Sequence, residues 1–305
     1  MSFRRKLVYA GRHFTPTWRY LFNLRSTLRY RRDREQPRGE AARIVSDLNR
    51  DGIAASHIDN LPEMRELFES LKDCVDQMEC EWEDRISAAR RETEGGEIGA
   101  KTFLLRLLGD NPLLDPESIY ARIALHPLML QIANEYFGMY TQLRYYNIWH
   151  TMTTKGPARE SQLWHYDRED HLILKLFIYL SDVDESAGPF TYAPGTHRKG
   201  QVKSKPDSFE EKGVERWTDD QMGGLVAADK WITATGRMGT ILFADTRGFH
   251  KGGLARDKDR LLYTCLYTSP SSQAPELFIR PEKITGAMDK SGKFALAPPS
   301  KGLFG

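Results

Sequence analysis

Behind residue 60 the apolar positions recur every three or four residues: Met64, Leu67, Phe68, Leu71, Val75, Met78 and Trp82. That 3.6-residue period predicts an amphipathic helix, and Asn60 with Glu63 three residues on resembles its capping box. Residues 91–101 (RETEGGEIGAK) interrupt the pattern as a polar loop. Shorter helices fit 116–125 and 127–137, the second with its proline in the first turn, where a missing N–H leaves nothing unpaired. The chain from 40 to about 138 is therefore predicted to be mainly helical.

After residue 140 the pattern changes. Aromatic and β-branched residues gather in short runs at 143–152, 172–180, 189–193, 240–244 and 260–268, divided by the turn signals AGP, PGT and RGFHKGG. Short strands separated by Gly and Pro turns predict an all-β sandwich or barrel. No βαβ alternation, GxGxxG or P-loop is present, which argues against a doubly wound nucleotide fold. Residues 201–230 read as a polar insertion and 281–305 as a loosely structured tail. The expected architecture is one α+β domain over 41–280, mainly β with a helical layer. The helical part is 41–138 and the β core about 140–272, with a basic arm over 1–40.

Composition changes this picture in two places. The 305 residues are 40% hydrophobic and 28% charged, with a net charge of +2. No global field attracts nucleic acid, and a nucleic-acid partner is not expected. Residues 1–40 differ, with eleven Arg or Lys against three acids (Asp33, Glu35, Glu40). Trp18, Leu21, Phe22 and Leu28 could form a narrow apolar stripe there. Membrane-surface contact is one reading of that stripe. The favoured one is a solvated arm packing a few side chains on the body, since the stripe is short and Pro16 stands near its start. Cys74, Cys80 and Cys265 are too few, and wrongly spaced, for a disulfide scaffold or zinc knuckle. No apolar run is long enough to span a bilayer, and no signal peptide is evident. The default location is the cytoplasm.

Candidate chemistry begins at LWHYDRED, residues 163–170. On extended chain His165 and Asp167 would project to one face. A two-histidine, one-carboxylate triad needs one further histidine and leaves three cis positions open on Fe(II). Of the eight histidines, His250 alone lies downstream on a strand-flanked, glycine-rich turn. A histidine–x–aspartate triplet by itself is more often ordinary surface structure than a ligand pair. The order of parts weighs against that reading: HxD, apolar strand, AGPF, PGTH, a glycine-flanked histidine, and a strand opening on Arg260.

Those parts resemble the phytanoyl-CoA dioxygenase family of Fe(II)- and 2-oxoglutarate-dependent oxygenases. The matching stretches are WHYD, LKLFIYLSDVDESAGPFTYAPGTHRKG and GTILFADTRGFHKGG…DRLLY, within about 143–270 and a little under half the chain. The resemblance implies a double-stranded β-helix (jelly-roll) core flanked by helices. It makes His165, Asp167 and His250 the iron ligands and Arg260 the partner of the distal carboxylate of 2-oxoglutarate. A guanidinium suits that role because it pairs with a carboxylate bidentately and keeps its proton. Arg256, in the LARDKD loop, is the less favoured candidate.

Lys175 shares a strand face with Phe177 and Tyr179. An inward lysine needs an anion, so Lys175 is expected either to meet a carboxylate of cosubstrate or substrate, or to snorkel from an edge strand. Phe177 fits the aromatic that faces the cosubstrate in the family. Asn147 could hydrogen-bond the cosubstrate, although a structural amide is the commoner role. His197 and Gly195 read as turn structure. Position 252 is Gly, where some relatives carry a hydroxyl.

The implied activity is hydroxylation, or a related oxidation, of a small organic substrate by O₂, with release of succinate and CO₂. A carboxylate at position 167 argues against halogenation, for which relatives leave a small residue there. A cupin-like O₂ enzyme without 2-oxoglutarate, and a non-catalytic jelly-roll binding protein, are the alternatives. The substrate pocket is expected to draw on 91–110, 154–162 and 201–230.

Overall fold

Two antiparallel sheets form the core of the computed structural model, which describes residues 11–94, 103–206, 215–284 and 286–298. In chain order the strands are β1 (Ile53–His57), β2 (Leu104–Arg106), β3 (Gln142–Thr151), β4 (Ile173–Tyr179), β5 (Phe190–Tyr192), β6 (Ile232–Ala234), β7 (Thr240–Asp245), β8 (His250–Gly252) and β9 (Arg260–Thr268). The large sheet runs β1-β7-β4-β9-β3-β2 and the small one β6-β5-β8. This is the expected jelly-roll core.

Period-2 alternation on β4 shows how the layers are made. Leu174, Leu176 and Ile178 point to the helices and join Ile148, Phe243, Tyr263 and Cys265 in the main core. Phe177 and Tyr179 point the other way, between the sheets, against Phe190, Tyr192, Leu242 and Leu262. A strand with both faces covered must be apolar throughout, which is why 172–180 is a nearly unbroken apolar run. Each such side chain contributes about 1.5–3 kcal/mol through burial.

After a short helical turn at Thr15–Thr17 and a π-helical turn at Trp18–Phe22, the α-helices are α1 (Leu24–Asp33), α2 (Gly39–Asp51), α3 (Arg65–Glu94), α4 (Ile119–Ala124), α5 (Pro127–Phe137), α6 (Asp219–Gly223) and α7 (Lys290–Ala295). Helix α5 has the expected bounds. Pro127 opens it, the His126 ring accepts from the Leu128 N–H, and Gly138 closes it in the left-handed region at φ 66°. The periodic set is inward as expected: Met64, just before α3, and Leu67, Phe68, Leu71, Val75 and Trp82 on it are buried, with Met78 partly buried against the same core. Among the described residues no helix is long and apolar enough to cross a membrane.

Several expectations are corrected. No Asn60/Glu63 capping box forms; two 3-10 turns, Ile58–Asn60 and Pro62–Met64, lead into α3, and the His57 ring accepts from Asp59 N–H. The helix over 116–125 shortens to α4, with Ser118 as its cap. Helix α3 continues to Glu94, and 95–101 of the expected polar loop lie outside the described residues. The helical region also contributes strands β1 and β2 to the large sheet. Neither carries a β-branched run (IAASH, LLR), so pairing with β7 and β3 decides their conformation rather than propensity.

The insertion over 201–230 is not merely polar: Trp217 and Met222 are fully buried against Trp164 and Phe249. In the tail, α7 packs on α5 and β3. Of the arm, residues 1–10 lie outside the described residues, and from residue 11 on it is packed on the body. Trp18 is completely buried and donates its indole N–H to Asp170 at 2.9 Å and Ser269 at 3.1 Å.

Candidate functional site

His165 and His250 stand opposite each other on two extended segments. Their backbones exchange both hydrogen bonds, each at 2.9 Å, and their ring centroids lie 4.3 Å apart. Asp167 N–H donates to Thr246 O at 2.8 Å, which holds the aspartate alongside the strand leading to His250. Gly248 is required just before that histidine, because an added Cβ would collide with the Tyr192 hydroxyl. Local pairing thus brings residues 165, 167 and 250 together. One ligand-capable atom from each falls within 4.8 Å of the others, a cluster that could hold a metal ion.

The imidazole tautomers follow from their partners. His165 Nδ1 lies 2.8 Å from Leu163 O, and His250 Nδ1 lies 3.0 Å from Gly248 O. A carbonyl only accepts, so each Nδ1 carries the proton and each Nε2 keeps its lone pair. Burial favours the neutral rings. It holds His165 well below its usual value, with the neighbouring His250 adding to the effect, and pushes His250 down to about 4. Asp167 behaves oppositely. Burial alone would raise its pKa, but the Lys175 ammonium and the two imidazoles hold it below the ordinary carboxylate range. Two neutral imidazoles and one carboxylate, preset in this way, suit Fe(II) or a similar divalent ion.

The cluster lines a cavity of about 370 Å³ between the sheets. Arg260, Lys175, Phe177, Tyr179, Thr151, Asn147 and Gly252 line it too. Arg260 is 6% exposed. Its guanidinium donates to Gly188 O and, at 3.4 Å, to Thr151 Oγ1, while its Nε–H has no partner. A buried cation with an unsatisfied donor in a cavity wall fits a ligand carboxylate. Arg256 instead donates to Thr154 O and Gly156 O, both at 2.9 Å, in an exposed loop.

Lys175 does not snorkel outward: its Nζ lies 2.7 Å from Asp167 Oδ2, with the two side chains 16% and 18% exposed. Burial would lower the lysine pKa, and the adjacent carboxylate raises it above its ordinary value instead. Asn147 lines the cavity, but its amide holds the turn after β2, donating to Gly109 O at 2.8 Å and accepting from Leu108 N–H at 3.4 Å. His197 Nε2 sits 3.3 Å from Asn49 O, away from the cluster.

Each variable segment expected to shape the pocket supplies wall: Phe103, Leu104, Arg106 and Asp110, then Ser161, then Arg216. Arg216 was not foreseen as a site residue. Its Nε is buried without a partner, and its nearest carboxylate oxygen, on Glu160, is 4.0 Å away. The one hint in the sequence was RW at 216–217 inside an otherwise polar insertion. Ala274, Pro275 and Leu277 also line the wall, from a stretch with no periodic signal.

Fold and donor set together define a class: jelly-roll proteins with a two-histidine, one-carboxylate cluster able to hold a single metal ion. Within it, the family model described as Phytanoyl-CoA dioxygenase (PhyH) matches residues 61–259, and the chain belongs to that family. Among solved structures the chain is similar to EctD from S. alaskensis in its apoform, at 15% identity over 87% of this chain and 89% of that one, with a TM-score of 0.47. It is also similar to AviO1 from Streptomyces viridochromogenes Tue57, at 18% identity over 78% and 98% of the two chains, TM-score 0.44. The non-heme alpha ketoglutarate dependent epimerase SnoN from nogalamycin biosynthesis matches at 17% identity over 76% and 83%, TM-score 0.43. No curated protein matches the chain.

Proposed function

We propose that this protein oxidises a small organic substrate with O₂, using Fe(II) and 2-oxoglutarate, and that the outcome is hydroxylation. The observation that carries the reading is the His165–Asp167–His250 cluster sharing one cavity with the unsatisfied Arg260 guanidinium. His165 Nε2, His250 Nε2 and an Asp167 oxygen would hold the metal. Arg260, backed by Thr151, would hold the distal carboxylate of 2-oxoglutarate.

Iron with its cosubstrate supplies the oxidising chemistry when bound. The chain's own residues orient and enclose. Leu163 O and Gly248 O fix the two rings through their Nδ1 protons. Phe190 stacks on His250 at 5.4 Å and Phe177 packs against Phe190 at 5.2 Å, an apolar wall that limits water at the cluster. Retention of a carboxylate at 167 keeps that ligand position from an added anion, the basis for preferring hydroxylation to halogenation.

The test is to purify the protein without oxygen, add Fe(II), and titrate 2-oxoglutarate while following the visible charge-transfer band and then succinate release in air. The wild type should show both, and Asp167→Ala neither. Absence of band and succinate from the wild type would sink the reading.

A further inference from the structure

Helix α1 is turned inside out. Its buried positions are Ser26, Thr27 and Tyr30, with Asn23 just before them, while Leu24 and Leu28 face water at 43% and 52% exposure. The inward polar groups are all engaged. Asn23 donates to Ser271 Oγ at 2.8 Å, Ser26 to Tyr140 O at 2.6 Å, Thr27 to Arg19 O at 3.2 Å, and Tyr30 to Glu135 at 2.6 Å. A helix that had only to pack on the body would bury its leucines and expose its serine and threonine.

The outward leucines are not isolated. Phe14, Tyr20 and Leu21 just before α1 are also exposed, so five of the eight exposed large apolar side chains among the described residues fall within 14–28. Leu24 and Leu28, four residues apart on α1, share one face, and Leu21 adds to the patch from the π-helical turn Trp18–Phe22 that precedes the bend at Asn23. Clustered exposure of this kind marks an interaction surface, whereas scattered exposure does not.

Charge selects the partner. Residues 11–32 contain six arginines (12, 19, 25, 29, 31, 32) and no Asp or Glu. Among the described residues Arg32 alone of the six has a carboxylate partner, Asp33. Arg25, Arg31 and Arg32 are exposed beside the leucines. Apolar side chains projecting from a helix with a surplus of arginines over acids combine the two terms that hold a segment at a lipid headgroup boundary: acyl-chain burial and attraction to anionic lipid.

We propose that the face carrying Phe14, Leu21, Leu24 and Leu28, with the arginines around it, docks this protein on an anionic lipid bilayer. The body stays in water, and the arm lies in the plane of the interface rather than crossing it. The surface is preformed, because Trp18 and the inward polar groups already seat the arm on residues 170–171 and 269–271. Residues 14–28 are already folded before docking, which lowers the entropic cost of binding.

Cosedimentation of the full chain with vesicles tests this. Vesicles of phosphatidylcholine with about 30% phosphatidylserine should retain the protein, pure phosphatidylcholine vesicles far less, and raised NaCl should weaken retention. Combined Leu21→Glu, Leu24→Glu and Leu28→Glu should reduce the bound fraction by about tenfold or more. Arg25→Glu with Arg31→Glu should do the same through charge alone. Both variants alter exposed positions, so their melting temperatures should match the wild type; one that melts early is replaced by the other. Equal binding of wild type and folded variants, or no wild-type binding to anionic vesicles, overturns the proposal. So does a wild-type dimer that the leucine variant converts to monomer without any vesicle binding, since the face would then join two copies of the chain.

Discussion

Lys175 reaches Asp167 from the middle of β4, and both charged ends are largely withdrawn from water. Each is tolerable there because of the other, so removing one leaves an uncompensated buried charge. Lys175→Met should lower the stability of the metal-free protein by about 3 kcal/mol. A divalent ion at the cluster can replace the ammonium as Asp167's countercharge. Mn(II) should therefore raise the melting temperature of the variant more than that of the wild type; equal shifts would count against metal at this carboxylate. Arg260 admits a sharper test. Lysine keeps the charge but loses the planar fork, so Arg260→Lys should raise the KM for 2-oxoglutarate by about ten- to a hundredfold, equivalent to one charge-assisted hydrogen bond. Its kcat should change by less. Succinate release against cosubstrate concentration reads both, and a KM within twofold of wild type would reassign Arg260 to structure. The sequence singles out His165, Asp167, His250 and Arg260 by their places relative to the apolar strands and by the family resemblance those places carry. The structure brings the first three into one cluster and puts Arg260 in the same cavity wall. The sequence does not single out Arg216, because its place depends on how Trp217 pairs with Trp164 across a long insertion.

At the scale of elements, legibility follows burial on two faces. Strands β3, β4 and β9 are buried along almost their whole length and stand out as apolar runs. Strands β1 and β2 lie at the two edges of the large sheet, and nothing in IAASH or LLR announces a partner. The arm was illegible for a related reason: its seat is polar, so its leucine pattern pointed to the wrong face. Trp18 is the pin of that seat, with its ring 4.7 Å from His171 and its N–H shared between Asp170 and Ser269. Trp18→Ala should cost about 3–5 kcal/mol through lost packing. Trp18→Phe keeps a six-membered ring but loses the donor and part of the packed indole, so a smaller loss of about 1–3 kcal/mol is expected. Chemical denaturation orders the two. Equal, small losses would mean that the arm is not an integral layer of the domain.

For the whole molecule, the histidines set the response to acid. Burial holds His13, His126, His165, His171, His197 and His250 below the ordinary imidazole value, to about 4 for His13 and His250 and about 3 for His171. The unfolded chain takes protons on these groups near pH 6.5, before the folded chain does. Stability is therefore fully present above about pH 6.5 and is lost as pH falls toward 4, at about 1.4 kcal/mol per pH unit for each histidine inside its window. Asp170 opposes this. Burial raises it to about 6, so between there and its ordinary value the folded state binds the extra proton. One carboxyl against several imidazoles leaves the net slope downward. Metal steepens it, because His165 and His250 must be unprotonated to ligate. Melting temperatures of the metal-free protein should fall from pH 7 to 4.5, and more steeply with Mn(II) present. His171→Phe keeps an aromatic ring in contact with Trp18 and removes one titrating group from the arm's seat. It should flatten the metal-free slope by one proton while leaving the Mn(II)-dependent increment intact. A metal-free slope that is flat, or unchanged in His171→Phe, would mean that these rings are hydrated in solution and that the arm is not closed over them.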